Sequence, residues 1–274
     1  MKVGVFQFVA SGNLSSNHQK IVEAITKANQ ENVRLLVFQE CATCGYPPLE
    51  VASIKDIDFN LLDIQLQEIK QLAVKYNMYI GLGTIRKEKS DYYNAIQLIS
   101  PNGEVIEEYN KRALWGWDLE HFTKGRMLGI HTIDGIKVGF RICFEVRFPE
   151  YFRELFLSDV KLCFVSFCDV SNMESLERYH IIKSHLVTRA VENVMTIISV
   201  DSISSYQTAP TAIFNRNGLV LKEAPLNQEY LMVYDYKEPE MGFGEKGRLQ
   251  NAYEIIDENQ INYMNCKREG PCGK

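Results

Sequence analysis

The length and charge of the chain exclude several classes of protein. It has 274 residues and a formal net charge of -5, from 30 Lys and Arg against 35 Asp and Glu. No long basic run occurs, so nucleic acid and anionic membrane surfaces are not expected as its main partners. The longest apolar runs have the length of a strand, far below the roughly 20 residues that cross a bilayer.

The N-terminus and the cysteines indicate the compartment. Residues 1–8 carry one lysine and a short apolar run broken by Gln7, a pattern that favours a first strand over a signal peptide. The seven cysteines are an odd number, and without a secretion signal a disulfide framework is not expected. We therefore expect reduced thiols and a cytoplasmic protein.

The first predicted elements alternate between strands and helices. After the first strand, Ser15 and Ser16 are candidate N-caps of an amphipathic helix, and residues 35–38 form an apolar run typical of a strand buried on both faces. Together these elements make a βαβ unit. A second helix is predicted over 61–76 and a further buried strand over 78–83.

Hairpins and longer helices follow. Turn sequences typical of hairpins occur at 101–104, 134–135 and 215–218. Helices are predicted at 151–157 and 174–193, and strands at 161–167, 195–201 and 229–236. No linker interrupts residues 1–236, so we expect a single domain of mixed strands and helices there. Residues 237–274 are glycine-rich and charged without strong periodicity, and they form a C-terminal tail.

The stretch 136–150 contains the strongest candidate for a reactive residue. An apolar strand runs there into a turn and then into a helix, with Cys143 at the point where the strand ends. A side chain at such a junction points out of the sheet, and the first turn of a helix leaves backbone N–H groups free to bind an oxyanion. Because cysteine is also among the most often buried residue types, its position alone leaves open whether Cys143 reacts or packs.

Four segments resemble the nitrilase, or carbon–nitrogen hydrolase, superfamily, and they occur in the family's order. They are Leu36–Glu40 with the turn Gly45–Pro48, Tyr109–Arg112 with Glu120–Gly125 downstream, Ile142–Glu150, and Thr188–Asn193. The resemblance implies an α/β fold, a four-layer α-β-β-α sandwich, over residues 1–236. It also implies a homodimer or larger homo-oligomer, with the tail of residues 237–274 packing at an oligomer interface.

The resemblance assigns catalytic roles to Glu40, Lys111 and Cys143. A free thiol has a pKa near ~8.5, so its attack needs a general base or a cation that lowers this pKa. Glu40 would be the base; it follows four apolar residues, so a partly desolvated position would raise its pKa. Lys111 would be the cation. Glu120 matches an additional glutamate that positions the substrate or the base in many family members.

The reaction implied by the resemblance breaks a carbon–nitrogen bond through a thioester. Cys143 attacks an amide or nitrile carbon while Glu40 takes the thiol proton, and the nitrogen leaves as ammonia or an amine. Glu40 then activates the water that releases the acid. Lys111 and the backbone N–H of Phe144 would stabilise the oxyanion. No metal and no organic cofactor is expected.

The expected substrate is a small linear amide or an N-carbamoyl compound. Arg147 is placed like an arginine that binds a substrate carboxylate in some relatives, but it could equally pair with Glu145 or Glu150. Phe144 and Glu145 stand where many relatives carry Tyr and Asp, which leaves the subfamily open. Four aromatic residues are candidate pocket walls or core residues: Tyr46, Trp115, Trp117 and Phe167.

Other functions remain as alternatives. The same site could hydrolyse nitriles, or the fold could have lost catalysis and serve as a binding or scaffold protein. Cys41 and Cys44 form a C-x-x-C pair, which could be a redox dithiol, although the strand and the Gly-Tyr-Pro turn around it are unlike a thioredoxin. Cys266 and Cys272 have the wrong spacing for a zinc finger.

Overall fold

The computed structural model of the chain describes residues 1–203 and 206–268, with side chains for 1–203 and 206–257. The strands are β1 (Lys2–Gln7), β2 (Leu35–Phe38), β3 (Tyr79–Glu88), β4 (Asp91–Ile99), β5 (Val105–Asn110), β6 (Ile130–Ile133), β7 (Ile136–Ile142), β8 (Leu162–Ser166), β9 (Val170–Ser171), β10 (Thr196–Val200), β11 (Tyr206–Gln207), β12 (Ala212–Phe214), β13 (Val220–Glu223) and β14 (Tyr230–Asp235). The helices are α1 (Leu14–Gln30), α2 (Phe59–Tyr76), α3 (Trp117–His121), α4 (Pro149–Leu157), α5 (Leu176–Glu192) and α6 (Phe243–Arg268).

Two six-stranded sheets form the centre of the fold. The first has the strand order β14-β1-β2-β3-β4-β5, and the second has the order β13-β12-β10-β8-β7-β6. Their inner faces share one apolar core, to which the first sheet contributes Val5 and Val37 and the second contributes Phe140 and Phe164. Helices α1 and α2 cover the outer face of the first sheet, and α4 and α5 cover that of the second. The predicted four-layer α-β-β-α sandwich is therefore confirmed.

The βαβ unit at the N-terminus is also confirmed. β1 and β2 pair in parallel, with Val3 opposite Leu35, and α1 connects them. The helix buries Ile21 and Ala28 on the apolar face that their spacing predicts. The predicted N-caps were wrong, because the side chain of Asn13 caps the helix by accepting from the backbone N–H of Ser16 at 3.0 Å.

The tail contains a helix that the sequence did not predict. α6 has a narrow apolar stripe, and its side chains Leu249, Ala252 and Ile256 pack against the core behind the second sheet. An ion pair between Arg216 Nε and Glu245 Oε1, 2.8 Å apart, holds its first turn. The first half of α6 therefore packs against the rest of the same chain, behind the second sheet. The side chains of Cys266 and Cys272 lie outside the described part.

Several strands of the two sheets end in the same region. The chain leaves β2 towards Glu40, β5 towards Lys111 and β7 towards Cys143. Hydrogen bonds join the sheets there, since Ser166 Oγ donates to the carbonyl of Phe38 at 2.8 Å. The strand ends therefore bring together residues that are far apart in sequence. Within 1–203 and 206–268, no helix is long and apolar enough to cross a membrane.

We predict that Gly83→Ala destabilises the protein. A Cβ at Gly83 would lie 1.9 Å from the carbonyl oxygen of Gln39 and 3.1 Å from the backbone nitrogen of Cys41, and neither backbone atom can move freely. We expect urea unfolding to show a loss of about 1–3 kcal/mol in the free energy of unfolding. Gly247→Ala is the matched control, because its Cβ meets open space in α6 and should be neutral or stabilising. Equal stability of the two variants would contradict this packing argument.

Candidate active site

Glu40 and Lys111 form a buried ion pair at the strand ends. Lys111 Nζ lies 2.8 Å from Glu40 Oε1, and the two residues are 2% and 1% exposed. Two further donors hold the carboxylate: Asn94 Nδ2, 2.6 Å from Oε1, and the backbone N–H of Cys168, 2.8 Å from Oε2. The orientation of Glu40 is thus fixed by groups from both sheets.

Asn94 and Cys168 are contacts that the sequence reasoning missed. Asn94 lies in β4, and its carbonyl accepts from the backbone N–H of Lys111 at 2.8 Å. The register of the β4–β5 hairpin therefore places Asn94 beside the lysine. Asn94, a polar residue between Tyr93 and Ala95 in a segment predicted as a strand, was the signal available in the sequence. The role of Cys168 depends on its backbone and leaves no such signal.

A second carboxylate holds Lys111 from the other side. Asp118 Oδ2 lies 2.8 Å from Lys111 Nζ, and Tyr46 donates its hydroxyl to Asp118 Oδ1 at 2.5 Å. Burial favours the neutral amine, but the negative charges of Glu40 and Asp118 outweigh it, so the pKa of Lys111 is raised well above its ordinary value. Lys111 is therefore an ammonium group.

Glu120 does not take the place that the family resemblance implied. Asp118 is buried in α3, whereas Glu120, two residues later, is exposed to solvent. Two residues correspond to about 200° of rotation in a helix, so the two side chains leave α3 in nearly opposite directions. The structure assigns the second carboxylate beside Lys111 to Asp118.

Cys143 begins a short 3-10 turn, Cys143–Arg147, between β7 and α4. Its φ of 45° is in the left-handed region, which non-glycine residues rarely adopt, and such outliers often occur at functional sites. Burial and the charge of Glu40 raise the pKa of the Cys143 thiol well above its ordinary value, while Lys111 opposes this shift. The resting side chain is therefore the protonated thiol, and it needs a base to react.

Glu145 connects the Cys143 turn to the lysine segment. Its carboxylate is fully buried and accepts from the backbone N–H of Ile142 at 2.7 Å, from the backbone N–H of Arg112 at 2.6 Å, and from Tyr109 Oη at 2.7 Å. This explains why an acidic residue follows the cysteine by two positions. It also means that Glu145 is occupied by these donors and does not pair with Arg147.

Arg189 fixes the same turn from α5. This residue belongs to the fourth segment of the family resemblance, and it is 6% exposed. Its Nε donates to the carbonyl of Val146 at 3.0 Å, and its Nη2 donates to the carbonyl of Arg147 at 3.1 Å. These bonds satisfy carbonyl groups at the end of the 3-10 turn, so the backbone beyond Cys143 is held in place.

Cys143 opens onto a cavity of about 350 Å³. Its lining residues are Trp115, Cys143, Phe144, Val146, Arg147, Asp169, Arg178 and Ile182. Three of the predicted substrate contacts, Trp115, Phe144 and Arg147, are therefore found there. A cavity of about 400 Å³ between α1, α2 and β3 contains none of the three residues Glu40, Lys111 and Cys143.

Three predicted pocket walls lie elsewhere. Phe167 is fully buried in the core behind the second sheet, so its side chain does not line the cavity, although its carbonyl accepts from the backbone N–H of Glu40 at 3.3 Å. Tyr46 lies next to Lys111, whose Nζ is 5.6 Å from the centre of its ring. Trp117 packs against Tyr46 and stacks on His121. Tyr46 therefore packs beside Lys111, and Trp117 packs against Tyr46 from α3.

The C-x-x-C pair is buried and its thiols are free. Burial raises the pKa of Cys41 well above its ordinary value and that of Cys44 to about 12. Thiol–disulfide exchange requires a thiol that is both accessible and deprotonated. Cys41 and Cys44 are buried, and their raised pKa values disfavour the thiolate. The surroundings of Cys41 and Cys44 therefore disfavour a redox role.

The fold is similar to that of solved amidases. The crystal structure of an amidase from Nesterenkonia sp. matches with a TM-score of 0.78 at 19% identity, over 95% of this chain and 96% of that chain. A mutant of the amidase from Nesterenkonia sp. AN1 matches with a TM-score of 0.79 at 18% identity, over 95% and 97% of the two chains. In that mutant, the acetamide moiety of fluoroacetamide is bound covalently to the active-site cysteine.

Relatives with closer sequences are described as amidases or hydrolases. A 2-oxoglutaramate amidase of Bacillus subtilis is 29% identical over 194 residues, which are 70% of this chain and 72% of the relative. A deaminated glutathione amidase of Dictyostelium discoideum is 26% identical over 251 residues, covering 82% and 84% of the two chains. The family model described as carbon-nitrogen hydrolase matches residues 2–238. Since that match spans nearly the whole chain, the protein belongs to the carbon–nitrogen hydrolase family.

Proposed function

We propose that this carbon–nitrogen hydrolase converts a small linear amide or N-carbamoyl compound to an acid plus ammonia or an amine, with Cys143 as the nucleophile. The observation that carries the proposal is the buried ammonium of Lys111, held 2.8 Å from both Glu40 and Asp118 next to the cysteine. Burying a charged group costs free energy, so a protein interior accommodates an ammonium only beside paired charges. Buried charges with shifted pKa values of this kind are typical of functional sites.

In the proposed first half of the reaction, Cys143 Sγ attacks the carbonyl carbon as its proton passes to Glu40. A thiol with a raised pKa requires such a base, because little thiolate forms at neutral pH. The ammonium of Lys111 and the backbone N–H of Phe144 stabilise the oxyanion. When the intermediate collapses, the C–N bond breaks and Glu40 returns the proton to the departing nitrogen.

The second half of the proposed reaction hydrolyses the thioester. Water attacks the thioester carbon and gives a proton to Glu40, which then protonates the sulfur as the C–S bond breaks. The acid leaves and the Cys143 thiol is restored. Asp118 touches Lys111 and not the reacting atoms, so we assign it a positioning role: it keeps the ammonium charged and directed towards the cavity.

Among the remaining predicted contacts, Trp115, Phe144 and Arg147 are proposed to contact the substrate, because they line the cavity beside Cys143. Amide substrates are favoured over nitriles because several relatives are described as amidases. Nitrile hydrolysis on the same site is the alternative. A binding or scaffold role without catalysis is disfavoured by the complete set of Glu40, Lys111 and Cys143.

We further propose a cytoplasmic homodimer or larger homo-oligomer. Exposed apolar side chains on α5, Leu176 and Ile181, are candidates for the contact surface, together with α4 and the C-terminal tail of residues 237–274. The five cysteines whose side chains are described are all free, which suits a reducing compartment. Light scattering of the full chain would distinguish a monomer from an oligomer.

The proposed activity predicts ammonia release from a panel of small amides, N-carbamoyl amines and nitriles. Cys143→Ala should abolish release from every compound, because no thioester can form. Intact-mass analysis of the wild type should detect an acyl adduct that the variant lacks. Activity only on nitriles would support the alternative reaction. No ammonia release from any compound of the panel, together with no adduct on Cys143, would favour a protein without catalysis.

We predict opposite outcomes for two neighbouring carboxylates of α3. Asp118→Asn removes a charge-assisted hydrogen bond from the buried ammonium, and kcat/KM should fall roughly 10- to 100-fold. Glu120→Gln changes an exposed side chain, and kcat/KM should stay within about twofold of the wild type. The two substitutions are chemically matched. A larger loss for Glu120→Gln would restore the role that the family resemblance gave this residue.

The raised pKa of Cys143 predicts how its alkylation depends on pH. Since a raised thiol pKa delays thiolate formation, the rate of reaction with iodoacetamide should still rise above pH ~9, near the ordinary thiol pKa. Peptide mapping separates Cys143 from the other cysteines, and Cys143→Ala gives the background. A rate that is already constant at pH 7 would instead show that Lys111 stabilises a resting thiolate.

A further inference from the structure

The cavity beside Cys143 contains an arginine whose role in the reaction is not explained by the proposed chemistry. Arg178 lies in the first turn of α5, and its side chain is 51% exposed, whereas that of its partner Asp169 is only 6% exposed. Both residues line the cavity together with Cys143. The guanidinium is therefore close enough to act on what Cys143 binds.

Asp169 holds Arg178 by one edge of its guanidinium. Nε donates to Asp169 Oδ1 at 2.6 Å, and Nη2 donates to Oδ2 at 3.0 Å. The carboxylate of Asp169 is itself fixed, because it also accepts from the hydroxyl of Thr208. Such a two-point contact orients the planar group and reduces the entropy lost when it binds a ligand.

A second edge of the guanidinium remains available. Arginine has five N–H donors, and the contact with Asp169 uses two of them. Within the described part of the chain, no hydrogen bond joins Arg178 Nη1 to another residue. One N–H of Nη1 and the second N–H of Nη2 form the end-on edge of the guanidinium, which fits both oxygens of a carboxylate.

The charges of the cavity favour an anion. Its lining contains two cations, Arg147 and Arg178, but only one carboxylate, Asp169. Arg147 lies 5.9 Å from the centre of the Phe144 ring. This positive surplus occurs in a chain whose formal net charge is -5. A local reversal of charge inside a cavity attracts a ligand of the opposite sign.

We infer that Arg178, oriented by Asp169, binds a carboxylate at the end of the substrate opposite to its amide. The substrate class is then the monoamide of a short dicarboxylic acid, and the products are the dicarboxylate and ammonia. This inference rests on the proposed function of Cys143. The cavity of about 350 Å³ limits the substrate to a small molecule. Arg178 determines specificity and takes no part in the bond changes.

The test compares amides that differ only in the charge of the distal group. Glutaramate carries a carboxylate, its methyl ester is the neutral analogue, and 4-aminobutanamide is a cationic amide of similar length. The wild type should prefer glutaramate, with the lowest kcat/KM for the cationic amide. In Arg178→Gln, the ratio of kcat/KM for glutaramate to that for the methyl ester should fall on the order of 10- to 100-fold, mainly through KM.

Two further variants separate recognition from structural support. Arg178→Lys keeps the charge but loses the two-point contact, so the ratio should take an intermediate value. Arg126→Gln removes an exposed arginine that does not line the cavity, and the ratio should not change. Equal losses for glutaramate and its ester in Arg178→Gln would overturn the inference, because they would assign Arg178 a purely structural role. Equal rates for both substrates in the wild type would overturn it as well.

A binding measurement distinguishes failure of this inference from failure of the proposed function. Calorimetry of Cys143→Ala with glutaramate requires no turnover, so it reports on the anion site alone. Binding that weakens on adding Arg178→Gln supports the site even if no amide is hydrolysed. Hydrolysis of neutral amides combined with no binding of glutaramate would leave the proposed function intact and overturn the inference.

Discussion

The buried ammonium of Lys111 is the group on which the arrangement of the site depends. An unpaired charge in the interior would cost several kcal/mol, so the fold must supply carboxylates around it. Glu40 comes from the end of β2 and Asp118 from α3, and each lies 2.8 Å from Nζ. The same pairing leaves the Cys143 thiol near a carboxylate and an ammonium group. One electrostatic requirement therefore determines which segments must meet.

The surrounding structure keeps these groups in place through backbone contacts. The carboxylate of Glu145 binds the backbone at both Ile142 and Arg112, so the turn that begins at Cys143 cannot move independently of the lysine segment. The backbone N–H of Cys168 fixes Glu40 in a similar way. Contacts of this kind allow little motion of the reacting groups, which is the condition for preorganised catalysis.

Much of the site could be predicted because its residues follow strands directly. Glu40, Lys111 and Cys143 each come within two residues of a strand end, and the resemblance to the family supplied their order along the chain. The choice between Asp118 and Glu120 could not be made in this way. Both are acidic residues of the short helix α3, and only the direction in which α3 faces the lysine separates them. Phe167 was similarly ambiguous, since an aromatic residue after a strand can enter either a pocket or the core.

The sequence by itself determined the alternation of strands and helices, because periodicity reflects contacts between neighbours in the chain. Its motifs, through the family resemblance, also indicated the layered fold and the candidate nucleophile Cys143. It did not reveal α6, because the few apolar side chains of this helix can be recognised as a packing face only once the core behind the second sheet is known. Nor did it reveal the pair of Asp169 and Arg178, whose place beside Cys143 depends on how the loop after β8 meets α5. Tertiary structure decided these features, because burial and charge pairing are properties of positions in space that spacing along a chain does not encode.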